Sequence, residues 1–174
     1  KNNHQGGPID VECIPDNGAR EEGMSRHRHN ENGGLLYNVR LQKSSYGASY
    51  STIENPHDLV LPCAACFVPD ATVLENWGST ECPAGYDTQY SGFVMTQHHT
   101  QYRQSPICVT SAIEGYPTGG VPHWSSIYPT EIELNGGSIA RTFSNYEGMM
   151  NNFEATCSVC PSRVPDEPAA PGAS

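Results

Sequence analysis

Apolar residues in this chain come in short runs, each cut off by proline, glycine or asparagine, and a long helical face is hard to find. Ile9-Asp10-Val11-Glu12-Cys13-Ile14 alternates as a half-buried strand does, before Pro15-Asp16-Asn17-Gly18 turns the chain. The run from Leu35 to Leu41 predicts a second strand, entered through Gly33-Gly34 and left through a Ser-, Tyr- and Gly-rich connection. Leu59 to Pro69, Thr72-Val73-Leu74, Tyr90 to Met95 and Ser105 to Val109 follow at short intervals. Ile132-Glu133-Leu134 leads into a turn at Asn135-Gly136-Gly137, and Phe153 to Cys160 closes the pattern. Such punctuation predicts an all-β fold: a small antiparallel module with many loops.

The same pattern divides the chain. Residues 1–58 read as the end of a first β sub-repeat plus a connection, and residues 59–163 as the main module. Residues 164–174, with four prolines or glycines and little to bury, read as a flexible tail. The sub-repeat idea rests on an echo: Asp10 to Pro15 and Ser105 to Val109 each carry one cysteine at the end of a short apolar strand.

Composition changes the picture in two ways. A chain of 174 residues with 36% hydrophobic positions buries one modest core or two small ones, which usually need covalent help, and seven cysteines can supply it. The net charge of −10 repels phosphate backbones and anionic lipid, so nucleic acid and membrane surfaces are poor partners. No apolar run reaches the length of a membrane span, and the first residues, Lys1-Asn2-Asn3-His4-Gln5, lack a signal core, so the sequence reads as a mature or truncated product.

Cys63 and Cys66 form one C-x-x-C pair, Cys157 and Cys160 another, and Cys82 and Cys108 lie between them. Zinc ribbons place two such pairs about fifteen to twenty residues apart, far closer than here, and a four-cysteine site would leave Cys82 and Cys108 unexplained. A redox-active pair expects a parallel β-α-β setting and a helix N-terminus, and neither surrounds Cys63. Disulfides fit best, and with them a secreted, extracellular protein.

The densest group of donors and acceptors is His98-His99-Thr100-Gln101-Tyr102-Arg103, flanked by Gln97 and Gln104, on a connection between two strands. Sugar hydroxyls need amide, imidazole or cationic donors, and the C–H side of a sugar needs an aromatic face. His98, His99, Gln101, Tyr102 and Arg103 with Trp77 or Trp124 nearby would supply both. Against this stands the plainer view of exposed loop histidines and core tryptophans. His27 and His29 with Glu31, Asp16 with Asn17, and Glu21 with Glu22 could ligate a cation, but no fixed ligand spacing accompanies them, and neither metal nor cofactor is implied. No nucleophile elbow, zinc-protease helix or phosphate loop occurs, and no carboxylate pair stands out, so no catalytic residue is assigned and an enzyme is not expected.

Several motifs in order resemble a known family. Trp77-Gly78-Ser79-Thr80-Glu81-Cys82-Pro83, Tyr90-Ser91-Gly92 and Cys108-Val109 are similar to a series in the non-collagenous part of spongin short-chain collagen-like proteins. Pro62-Cys63-Ala64-Ala65-Cys66-Phe67-Val68-Pro69 and Thr156-Cys157-Ser158-Val159-Cys160 look like that family's flanking elements, and the resemblance spans roughly residues 9 to 163. Related domains occur in marine invertebrate lectins of the Serpula lectin type. The resemblance implies a carbohydrate-binding protein, with galactose-type glycans or glycoproteins as partners and a homo-oligomer for avidity. A structural or assembly domain of an extracellular matrix is the rival. This chain departs from the pattern in lacking a G-X-Y repeat and a cysteine in Gly137 to Thr142.

Two pairings give the disulfide idea a concrete form. Joining Cys82 to Cys108 closes a loop of about 27 residues, worth roughly 3 to 4 kcal/mol by chain entropy. Joining Cys63 and Cys66 to Cys157 and Cys160, in either order, would tie the first strand of the main module to its last. Cys13 is then left over, an odd cysteine for a partner on another chain or on an upstream segment.

Overall fold

A computed structural model of the chain describes residues 11–13, 38–42, 59–101, 105–117, 125–132 and 153–163. Among them are ten strands and no helix: β1 (Val39–Leu41), β2 (Leu59–Val60), β3 (Val73–Trp77), β4 (Tyr90–Thr96), β5 (Ile107–Thr110), β6 (Tyr116–Pro117), β7 (Ser125–Pro129), β8 (Glu131–Ile132), β9 (Phe153–Glu154) and β10 (Thr156–Pro161). The all-β expectation holds. Contacts group the chain into two units: one of Lys1–Cys66, Met95–Ile107 and Ala112–Thr130, the other of Phe67–Val94, Cys108–Ser111 and Glu131–Ser174.

In the second unit β10 lies between β3 and β4, antiparallel to both. Its register sets Cys157 opposite Trp77 and Gly92, and Val159 opposite Glu75 and Tyr90. Because side chains alternate across a strand, these residues share one face, while Ser158 and Cys160 point to the other. The first face holds an apolar cluster of Val94, Cys108 and Cys157, with Tyr90, Ala155 and Val159 packed against it. Strand β5 pairs with β4 and brings Cys108 into that cluster. Its approach depends on Gly92, where an added Cβ would strike the carbonyl oxygen of Val109.

The loop from Gly78 to Gln89 is bound to the opposite face by a disulfide from Cys82 to Cys160. Asn76, on that same face, donates its side-chain amide to the carbonyl of Glu81 at 2.9 Å. Gly78 and Gly85 bend the loop with φ near +88° and +90°, a left-handed backbone that glycine adopts at little cost. Beyond β10, Ser162 N–H donates to Thr72 and Arg163 N–H to Gly85, at 2.8 and 2.9 Å. The Arg163–Asp87 ion pair beside them is 2.7 Å long but 64% exposed on both sides, so it adds less than about 1 kcal/mol. A short pair, β8 with β9, completes this unit.

In the first unit β1 pairs in parallel with β7 and antiparallel with β2, which pairs in turn with β6. The end of β4 joins β7 at Met95 opposite Pro129 and Thr96 opposite Tyr128. Leu41, Met95 and Ile127 are almost wholly buried, and Val60 and Ile113 nearly so. Gly115 lets the chain pass β2, since a Cβ there would lie 2.9 Å from the Leu59 Cβ. The β1–β7 pair makes the pairing mixed. Parallel neighbours need a long crossover, and more than eighty residues separate Leu41 from Ser125.

Three expectations are corrected. Val11-Glu12-Cys13, the described part of the first predicted run, is irregular rather than a strand. Of the apolar run from Leu59 to Pro69 only Leu59–Val60 pairs; Pro62 has no N–H to donate, and the residues from Pro62 to Phe67 are exposed. The pairing of cysteines also differs: Cys13 bonds Cys63, Cys82 bonds Cys160, Cys108 bonds Cys157, and Cys66 is a free, exposed thiol. Cys82 and Cys108 therefore do not bond each other, because they reach β10 from opposite faces. Neither does Cys63 or Cys66 meet Cys157 or Cys160. The leftover cysteine is Cys66 rather than Cys13, whose bond lies within the chain.

Candidate functional site

The sequence pointed to the connection after β4, which the structure describes as far as Gln101. β4 ends at Thr96, opposite Tyr128 of β7, and two residues on the His98 ring meets the Tyr128 ring edge-on at a centroid distance of 5.2 Å. The chain then turns back on itself, with Gln101 N–H donating to the His98 carbonyl at 2.8 Å. Inside this turn the Thr100 hydroxyl lies 2.9 Å from His98 Nδ1, and the Thr100 backbone N–H donates to the same nitrogen over 3.4 Å. A backbone N–H can only donate, so Nδ1 of the neutral ring is the unprotonated nitrogen and Nε2 carries the hydrogen.

His99 stacks obliquely beside His98, with centroids 4.2 Å apart and planes at 40°. It is exposed, as are Thr100 and Gln101, while His98 and Tyr128 are half-buried. The turn thus fixes one imidazole beside a second, exposed one, with Thr100 and Gln101 exposed alongside. Such a group can exchange several hydrogen bonds with a polyhydroxylated ligand.

Other expected site residues fall elsewhere. Tyr102, Arg103, Gln104 and Trp124 lie outside the described residues, as do His27, His29, Glu31, Asp16, Asn17, Glu21, Glu22 and the Gly137–Thr142 stretch. Trp77 belongs to the other unit, on β3, where it is 53% exposed and donates its indole N–H to the Glu75 carboxylate at 3.3 Å. It is not a core tryptophan. Tyr128, which the sequence reading did not single out, supports His98. Its signal was available only as Ser125-Ser126-Ile127-Tyr128-Pro129, a strand with too few apolar residues to announce itself.

A second surface emerges on β3. Gly78 N–H donates to Thr156 and Ser162 N–H to Thr72, so the even-numbered residues of β3 bond β10. The N–H and C=O groups of Val73, Glu75 and Trp77 consequently point to the side where β3 has no neighbour among the described residues. Val73 and Trp77 are about half exposed on that strand, and Phe67, just before it, is 90% exposed.

Comparison with protein-family models, with curated proteins and with solved structures finds no match to this chain. Three disulfides within one chain suit an oxidising compartment.

Proposed function

We propose that this chain is a secreted, non-catalytic carbohydrate-binding protein, and that the turn from Gln97 to Gln101 is part of its sugar site. The observation that carries this reading is the His98 imidazole, held by Thr100 and against Tyr128 beside the exposed His99 ring, with Nε2–H as its remaining donor. Fixing a donor before the ligand arrives removes part of the ordering cost of binding. Tyr102 and Arg103, next in sequence, would extend the same surface. Shallow sites of this type bind weakly one at a time, so an oligomer with several of them gains affinity through avidity. The motif resemblance to lectins of the Serpula type supports the same class and suggests galactose-type glycans.

The test is a glycan array screened with the native protein, with and without EDTA, followed by His98→Ala and His99→Ala. Selective binding that survives EDTA and falls at least tenfold in His98→Ala supports the reading. Silence across the array overturns it.

A matrix-assembly role has its own supporting observation, the open β3 edge with Val73 and Trp77 exposed along it. Such edges add strands from other chains readily. Val73→Lys would abolish assembly under this second reading and leave glycan binding intact under the first.

A further inference from the structure

Cys66 is three residues from Cys63, in the sequence Cys63-Ala64-Ala65-Cys66, and Cys63 is already bonded to Cys13. The environment of this bond differs from that of the other two. Cys157 and Cys160 are fully buried, whereas Cys63 and Cys66 are exposed and Cys13 is half-exposed. From Pro62 to Ala71 no backbone hydrogen bond holds the chain to other described residues, and the spacer is two small alanines. A free thiol therefore stands three residues along the chain from an accessible disulfide.

We propose that Cys13, Cys63 and Cys66 form an exchange cluster, in which the Cys66 thiolate attacks Cys63 Sγ and converts the Cys13–Cys63 disulfide into a Cys63–Cys66 disulfide. The new S–S bond forms as the Cys13–Cys63 bond breaks, its electron pair leaves on the Cys13 sulfur, and that thiolate takes a proton from water. One disulfide and one thiol exist before and after, so the step needs neither oxidant nor reductant. Access and tethering favour it: attack requires an unhindered sulfur, and a C-x-x-C spacing keeps the attacking thiol at high local concentration. Its consequence is a change in reach. A bond across 50 residues is exchanged for one across three, the covalent closure of the segment between Cys13 and Cys63 is lost, and a thiol moves from Cys66 to Cys13. The two bonds that clasp β10 are untouched, because their sulfurs on that strand are buried.

The test uses the full oxidised chain. It is held at about pH 8, where thiolates are populated, or at about pH 4, where they are not, then alkylated and mapped by tryptic peptide mass. The peptide ending at Arg20 carries Cys13 as its sole cysteine, so release and labelling of that peptide report exchange directly. Labelled Cys13 is expected at the higher pH, to be suppressed at the lower, and to be lost in Cys66→Ser. Label confined to Cys66 at both values, with Cys13 still linked to Cys63, overturns the proposal. A second variant guards against slow exchange: Cys13→Ala, folded under oxidising conditions, should show no free thiol, since Cys63 and Cys66 then bond each other. Two free thiols in that variant would equally overturn it.

Discussion

Cys157 and Cys160 sit three positions apart on β10 and point to opposite faces of the strand, each fully buried and each bonded to a different element. An odd spacing within a strand reverses the side chain, so a C-x-x-C pair in extended backbone cannot serve one partner motif. Cys157 fastens β5 to one face through Cys108, and Cys160 fastens the loop before β4 to the other through Cys82. The sheet is held from both sides by a single strand.

This arrangement predicts one reactive thiol per native chain. Alkylation without reduction, at acid pH to suppress exchange, should add one label, located at Cys66, and reduction should reveal six more. Two or more labels before reduction would contradict the pairing.

Removing either clasp should be severely destabilising. Replacing Cys108 and Cys157 together by alanine opens a loop with a separation of 49 residues. Chain entropy alone assigns that loop about 4 kcal/mol, before the lost packing of two buried sulfurs. Denaturant unfolding of the double variant measures it, and a loss below about 1 kcal/mol would show that the bond is not part of the stable core.

Gly92→Ala tests the approach of β5 to β4. A single methyl there meets backbone rather than a movable side chain, and overpacking of this type costs about 1 to 3 kcal/mol. Gly85→Ala gives a control of different origin: its Cβ meets nothing within 4 Å, and only the left-handed φ opposes it, for about 1 to 2 kcal/mol. If the Gly92 variant unfolds at the same midpoint as the parent chain, β5 does not lie where described.

Tyr90 gives a pH dependence. Burial of its ring raises the phenol above its usual value of 10.0, and the Glu75 carboxylate raises it further. The folded state therefore holds the Tyr90 proton more tightly than the unfolded chain. The resulting stability is fully present below pH 10 and is lost as pH rises through the folded value. Tyr90→Phe should flatten the stability profile in that alkaline window. At neutral pH it should lose about 1 kcal/mol, for the hydrogen bond from the Tyr90 hydroxyl to the Cys108 carbonyl. An unchanged alkaline profile in the variant would assign the effect to other groups.

Much of the fold was legible in the apolar runs. Tyr90 to Met95, Ile107 to Val109 and Thr156 to Cys160 each became strands because alternation and valine- or isoleucine-rich stretches mark a surface buried on one side or both. β7 was not legible, since two serines and a terminal proline disguise a strand whose burial comes from its neighbours. Leu61 to Val68 erred in the other direction, as the residues from Pro62 to Phe67 stay exposed. The pairing of cysteines was partly accessible: parity along β10 was available from spacing, but which loop would cover which face is a long-range fact. At the candidate site, His98, His99 and Gln101 were found by their density in sequence, whereas the Tyr128 contact depends on a register between residues thirty apart.

The strand between β3 and β4 is also the last one described along the chain, about eighty residues after its neighbour β3. During synthesis the sulfurs of Cys82 and Cys108 are exposed long before Cys157 and Cys160 are made, and β3 and β4 must wait with an open gap between them. Contacts this distant in sequence form slowly. A bond formed early between Cys82 and Cys108 would have to be exchanged before the final strand could take its place with both native pairs closed.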